Sequence, residues 1–89
     1  MSERRSRLEM LVDVLSLINS NVQKPTRIMY RGNMSWTHAK EILGSLTEEG
    51  LVVEGQVKKR SVYRITDRGR KALRLFRESK EMIAPSTKR

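Results

Sequence analysis

Apolar residues between Arg7 and Asn19 recur at helical spacing, which predicts a first amphipathic helix over this range. The members of this stripe are Leu8, Leu11, Val12, Leu15 and Ile18. A second stripe of Met10, Val14 and Leu17 covers a neighbouring face of the same helix. Because a surface helix needs only one apolar face, we expect this helix to be covered from two sides.

Two further helices are predicted after the turn-forming sequence at residues 19–21. Thr26 is in position to cap a short second helix, which Gly32-Asn33 ends because both residues tolerate left-handed backbone. This helix carries Ile28, Met29 and Tyr30. Ser35 is the expected N-cap of the third helix. The apolar face of the third helix consists of Ala39, Ile42, Leu43 and Leu46, and Gly50 ends it.

A β-hairpin and a last helix are predicted in the second half of the chain. Residues 51–54 and 60–65 read as two short strands joined by a basic loop at residues 55–59. Thr66-Asp67 then caps a helix that extends to Ile83, before Ala84-Pro85. Its apolar positions are Ala72, Leu73, Leu75, Phe76, Met82 and Ile83.

This order of elements predicts a mainly α chain with a small β-hairpin (α+β). A winged helix-turn-helix with an additional C-terminal helix has this order: helix, helix, tight turn, helix, hairpin and helix. With 89 residues the chain has room for one domain. We expect that domain to span residues 7–83, between a flexible N-terminus at 1–6 and a disordered tail at 84–89.

The charged residues add a prediction of function to this predicted fold. The 19 Lys and Arg against 10 Asp and Glu give a net charge of +9, which favours a polyanionic partner, nucleic acid before an anionic membrane surface. The charges are also sorted: residues 24–40 hold four basic and no acidic residues, and residues 57–77 hold nine basic and one acidic. Residues 41–54 instead contain four Glu and no Lys or Arg. Positive charge therefore falls on the parts that a winged helix presents to phosphates.

The candidate DNA-binding residues follow from this sorting and from helical spacing. Thr37 and Lys40 lie opposite the apolar face of the third helix, where they are free to meet the major groove. Arg27 and Arg31 share one face of the second helix at a spacing of four residues. The full predicted set is Lys24, Arg27, Arg31, Ser35, Trp36, Thr37, Lys40, Lys58, Lys59 and Arg60. For Trp36 a packing role competes with base contact.

Several kinds of chemistry have no residues to support them. Cysteine is absent and His38 is the single histidine, so we expect no disulfide, no metal site and no cofactor. The sequence has no phosphate-binding glycine loop, nucleophile elbow or Ser/His/Asp grouping, which indicates that the protein is not an enzyme. Apolar runs never exceed three residues, so we expect a protein of the cytoplasm, associated with the nucleoid, and no membrane contact.

Several short motifs resemble those of the archaeal winged-helix family that includes small, basic, chromatin-associated DNA-binding proteins. The motifs are residues 24–30, 33–36, 43–46, 49–52 and 63–69, of which Thr26-Arg27-Ile28-Met29-Tyr30 and Thr66-x-x-Gly69 are the more specific. The resemblance covers about residues 7–83. It implies dimers formed through the last helix, which is a long coiled coil in the chromatin-associated members. Here that helix is predicted to have only 17 residues, at 67–83.

The residues themselves also favour a dimer. The last helix carries two adjoining apolar stripes, and one of them is left over after packing on the first helix. The predicted interface consists of Met10, Val14, Leu17, Leu75, Phe76, Met82 and Ile83. We therefore predict a homodimeric double-stranded DNA-binding protein, either a transcriptional regulator or an architectural chromatin-type protein. The alternative is a winged-helix adaptor that binds an acidic protein surface, and RNA binding ranks third.

Overall fold

The computed structural model describes residues 6–83, with side chains up to residue 79, and has the predicted order of elements. The elements are α1 (Arg7–Asn19), α2 (Pro25–Arg31), α3 (Trp36–Glu48), β1 (Val52–Val57), β2 (Arg60–Ile65) and α4 (Asp67–Ile83). The expected tail at 84–89, all but one residue of the expected flexible N-terminus, and the side chains of Met82 and Ile83 lie outside the described residues.

Helix α1 begins with a capping box, which satisfies two otherwise unpaired backbone N–H groups. The Glu9 N–H donates to the Ser6 Oγ (3.1 Å), and the Ser6 N–H donates to the Glu9 carboxylate (3.0 Å). Apart from Leu8, which is 54% exposed, both predicted apolar stripes of α1 are used inside the chain. Val14 is 0% exposed in the core, and Met10 and Leu17 pack against that core. The assignment of Val14 to a dimer interface is therefore wrong, because its neighbours in the same chain already cover it.

Helix α2 begins two residues earlier than expected. Lys24 occupies the N-cap position and Pro25 the first helical position, so Thr26 is not the cap. The reason is that proline has a helix-compatible φ and lacks the N–H that would need a partner there. At the other end only Asn33 (φ 55°) has left-handed backbone, whereas Gly32 remains right-handed.

Helix α3 follows after a tight turn and supplies much of the core. The Ser35 hydroxyl caps it by accepting a hydrogen bond from the His38 N–H (3.2 Å). The predicted apolar face is fully buried, and Gly50 (φ 75°) ends the helix as expected. The core cluster consists of Val14, Leu15, Ile18, Val22, Ile28, Ile42, Leu43, Leu46, Val52 and Leu73.

The hairpin is longer and its loop shorter than predicted. β1 and β2 pair antiparallel from Val52↔Ile65 to Val57↔Arg60, so only Lys58 and Lys59 form the turn. The expected loop at 55–59 is wrong in this respect, because Gly55, Gln56 and Val57 are paired strand residues. The edge of β2 that does not pair with β1 is held against the α1–α2 connection. There the Tyr63 N–H donates to the Gln23 carbonyl (3.0 Å).

Helix α4 is positioned by the Thr66-x-x-Gly69 motif. The Thr66 hydroxyl accepts a hydrogen bond from the Gly69 N–H (3.0 Å) and lies 2.7 Å from the Gly50 carbonyl, to which it donates. Leu73 then packs into the core, while Leu75 is 56% exposed. In the part of the chain that the structure describes, no helix has the length and apolar character needed to cross a membrane.

Candidate nucleic-acid interface

A basic cleft lies between the start of α2 and the hairpin. One wall is formed by the α1–α2 connection with Lys24 and by the start of α2 with Arg27. The other wall is the end of the hairpin with Lys58 and Arg60. The cleft has a volume of about 730 Å³, and its remaining residues are Asn21, Val22, Gln23, Val57 and Val62. The structure thus brings together two pairs of predicted DNA-binding cations that are more than 30 residues apart in sequence.

These four cations have no carboxylate partners among residues 6–79. The ion pairs found between described side chains are Arg7 with Glu41 (3.6 Å) and Arg70 with Asp67, and neither pair includes a residue of the cleft. The positive charge of the cleft is therefore not neutralised within the described chain. An unpaired, exposed row of cations is the arrangement that displaces counterions from a phosphate backbone.

The outer face of α2 continues the basic surface. Arg27, Tyr30 and Arg31 lie on one side of this helix at spacings of three and four residues, and Tyr30 is 80% exposed. In the sequence Tyr30 reads as one of the apolar residues of α2, and it is not among the predicted site residues. Its helical spacing from Arg27 and Arg31 could have indicated that it belongs to the same exposed basic face. A phenol there adds a hydrogen-bond donor for a phosphate oxygen.

The first turn of α3 presents a second set of predicted residues beside this surface. Trp36 (46% exposed), Thr37 and Lys40 all face solvent. Ser35 is also exposed, but its hydroxyl already serves as the N-cap of α3. Its observed role is therefore structural, and Thr37 is the better-placed hydroxyl for an external contact.

Acidic residues limit the basic surface on its other side. A groove of about 610 Å³ between α3 and the hairpin is lined by Lys40, Glu41, Glu48, Glu54 and Tyr63, among others. Glu54 accepts a hydrogen bond from the Ser61 hydroxyl (2.8 Å). Burial raises the pKa of the Tyr63 phenol above its usual value of 10.0, and the charge of Glu54 adds to this rise. The exposed basic surface thus extends along α3 no further than Lys40.

The hairpin turn holds its two lysines in a backbone conformation that L-residues disfavour. Lys58 (φ 53°) and Lys59 (φ 67°) both have positive φ, as the central residues of a type I′ turn do. Asn-Gly is the usual sequence for such a turn, and a non-glycine residue there loses about 1–2 kcal/mol. Two cations are thus kept at the tip at the expense of stability, which is typical of a functional position.

We expect the double variant Lys58→Asn/Lys59→Gly to raise the free energy of unfolding by about 1 kcal/mol, because both residues then suit the turn. Urea denaturation measures this change. The matched control, Lys58→Gln/Lys59→Gln, removes the same two charges and keeps the unfavourable backbone, so it gives no gain. Equal stability of the two variants would show that the turn is not strained.

No three His, Cys, Asp or Glu side chains among the described residues are grouped so that they could hold a metal ion. The remaining predicted site residues are placed as follows. Arg31 is exposed on α2, Thr37 in the first turn of α3 and Lys59 in the hairpin turn, and none of the three lines either groove.

Three helices, a hairpin and a further helix, with cations gathered on α2 and the hairpin, define the winged-helix class of proteins. Comparison with protein families agrees, since the winged helix-turn-helix family model matches residues 4–84. The chain belongs to the winged helix-turn-helix family. The resemblance seen in the sequence is thereby confirmed.

The chain is also similar to an archaeal sequence and to solved structures that include one from an archaeon and one from STIV. An uncharacterized protein of Methanocaldococcus jannaschii is 28% identical over 68 residues, which is 76% of this chain and 66% of that protein, just under two thirds of its length. Sso10a-2, a DNA-binding protein from Sulfolobus solfataricus, has a TM-score of 0.70 at 24% identity, covering 89% of this chain and 85% of its own. A winged-helix DNA-binding protein from STIV has a TM-score of 0.69 at 14% identity, covering 94% and 100%.

Proposed function

We propose that this chain binds double-stranded DNA, with the α2–hairpin cleft on the phosphate backbone and the first turn of α3 in the major groove. The observation that carries this proposal is the cleft itself, where Lys24 and Arg27 face Lys58 and Arg60 without described carboxylate partners. A phosphate backbone supplies charge of the opposite sign in a continuous row. The proposal assigns binding and no catalytic step, and places the protein with chromosomal DNA in the cytoplasm.

The dimensions of α3 suit a major groove. Its 13 residues correspond to a length of about 20 Å, and a major groove about 12 Å wide admits a helix. Winged-helix and helix-turn-helix proteins place the N-terminal residues of this helix against base edges. Thr37 and Lys40 are the proposed readers of those edges, because Glu41 and Glu48 further along would meet phosphates unfavourably. The names of the Sulfolobus solfataricus and STIV proteins support the choice of DNA.

The direct test is a titration of a fluorescently labelled duplex of about two helical turns with the purified chain, followed by anisotropy. We expect saturable binding. Competition with unlabelled duplex should displace the label more efficiently than the same concentration of single-stranded DNA or RNA. No binding of duplex, together with recovery of the chain in a complex with an acidic protein, would replace this proposal by the adaptor function.

We further propose that the chain forms a homodimer through α1 and α4. Leu8 (54% exposed) and Leu75 (56% exposed) flank apolar grooves that share Leu51 and Ala72, so the apolar surface is continuous. Phe76 lines the same groove as Leu8. A second copy of the chain suits this surface because a domain this small gains much stability from additional burial.

Sedimentation velocity at high micromolar concentration tests the dimer. We expect the wild-type chain to sediment as a dimer and Leu8→Ser/Leu75→Ser as a folded monomer, since the exposed leucines make the contact. Val53→Ser/Val57→Ser removes two similarly exposed apolar residues from the hairpin (51% and 49%) and should leave the dimer intact. A monomeric wild-type chain would refute the dimer and leave DNA binding unaffected.

A further inference from the structure

A second row of cations runs along α4, outside the cleft. Arg70, Arg74 and Arg77 recur at spacings of four and three residues and therefore share one side of the helix. They line a shallow groove of about 370 Å³ together with Asn19, Leu73 and Glu78. We call Arg70, Arg74 and Arg77 the α4 stripe.

The α4 stripe meets the basic cleft at a single turn of the chain. Asn19, the last residue of α1, lines the groove of the stripe, and Asn21 lines the cleft. Residues 19–23, which connect the two, carry no charge. Asn21 has left-handed backbone (φ 71°), which fixes the direction of the chain between them. The two basic surfaces are therefore neighbours across one uncharged turn.

The charge of the stripe is only partly compensated within the described chain. Arg70 pairs with Asp67, but the Asp67 side chain is 97% exposed, where such pairs contribute little. Arg77 donates a hydrogen bond to the Ser16 hydroxyl (3.1 Å), which holds the side chain along α1 without neutralising it. Arg74 has no hydrogen bond or ion pair with any described residue. Counting Glu78 and Asp67 against the three arginines, the stripe still has a net positive charge.

We infer that the α4 stripe extends the same DNA contact, so that the phosphate backbone held in the cleft continues past the α1–α2 turn onto α4. This inference rests on the proposed function. The eight residues from Arg70 to Arg77 span about 10 Å, which corresponds to about three base pairs along the duplex axis at about 3.4 Å each. The binding site of one chain is therefore longer than α3, α2 and the hairpin alone provide.

The variant Arg70→Gln/Arg74→Gln tests the stripe, with Arg77 left in place because of its bond to Ser16. Helix α4 offers a matched control, Arg68→Gln/Lys71→Gln, which removes the same charge from another side of the same helix. Both residues line a groove of the proposed dimer surface, so sedimentation velocity first checks that this variant keeps the oligomeric state of the wild type. All four residues are exposed, so both variants should fold. Circular dichroism checks this before binding is measured.

Anisotropy titrations with one duplex of about 10 bp and one of about 24 bp supply the readout. We expect Arg70→Gln/Arg74→Gln to weaken binding of the longer duplex by about tenfold or more at low salt, and to reduce the magnitude of its salt slope by about 2. The shorter duplex should be affected less, because it is filled by the cleft and α3. Arg68→Gln/Lys71→Gln should leave the salt slope close to that of the wild type.

Four results would overturn the inference. Equal losses in the two variants would show a general effect of net charge. If Arg70→Gln/Arg74→Gln binds DNA as the wild type does while Lys24→Gln/Arg27→Gln binds more weakly, the stripe does not contact DNA and the proposed function stands. The wild-type chain can also be mixed with two differently labelled duplexes. If energy transfer between them is observed and only Arg70→Gln/Arg74→Gln abolishes it, the stripe binds a second duplex instead. A wild-type chain that binds no duplex would remove the proposed function and this inference together.

Discussion

Replacing Gly69 with alanine is expected to lower the free energy of unfolding by about 3 kcal/mol, in the range of severe overpacking. An added Cβ would overlap the Leu51 carbonyl oxygen and lie 2.8 Å from the Ile65 side chain. Neither neighbour can move easily. The Leu51 carbonyl accepts the Thr66 N–H (3.0 Å), and the Thr66 hydroxyl accepts the Gly69 N–H (3.0 Å). The clash therefore separates α4 from the hairpin.

Urea denaturation measures this loss, and Gly44→Ala is the matched control. Gly44 lies inside α3, and a Cβ there would meet no atom within 4 Å. Alanine at that position should raise stability by about 0.5–1 kcal/mol, because glycine is a poor helix former. The two Gly→Ala changes are thus expected to have opposite signs. A Gly69→Ala chain as stable as Gly44→Ala would contradict the close packing of α4 on Leu51.

Neutralising the cleft is expected to have the largest effect on DNA affinity. The quadruple variant Lys24→Gln/Arg27→Gln/Lys58→Gln/Arg60→Gln should weaken duplex binding by about a thousandfold at about 0.1 M salt, since each cation displaces about 0.9 counterion. Anisotropy titration gives the affinity. Stability should change little, because all four side chains are exposed.

Arg68→Gln/Lys71→Gln is the control for the cleft variant as well. It lowers the net charge at a groove that shares no residue with the cleft, so its effect per charge removed estimates the contribution of the long-range field. We expect the loss per charge to be several times larger in the cleft. Equal losses per charge would show that no cleft cation contacts a phosphate.

Much of the fold was predictable because each helix repeats its apolar residues on a face that the core then covers. The bounds of α1 were predicted correctly from the extent of its apolar pattern, and those of α4 from Thr66-Asp67 and Ala84-Pro85. The errors concern competing local preferences. Pro25 occupies the first helical position, so Lys24 and not Thr26 is the N-cap, and the paired strands of the hairpin extend to Val57 despite Gly55.

The candidate site was less predictable, since it depends on tertiary contacts. The sequence indicated that Lys24 and Lys58 belong to basic segments, but only the packing of the hairpin against the α1–α2 connection places them across one cleft. Apolar character alone did not distinguish buried from exposed residues. Val14 is in the core and Tyr30 in solvent, because burial depends on which face of each helix meets a neighbour.

The dependence of duplex affinity on salt tests whether these cations hold phosphates. With about six cations engaged, a plot of log affinity against log salt concentration should be linear with a slope of about −5 for the wild-type chain. The measurement needs only the unmodified protein and one labelled duplex at several salt concentrations. A slope near zero, or the absence of duplex binding at low salt, would contradict the phosphate-binding cleft.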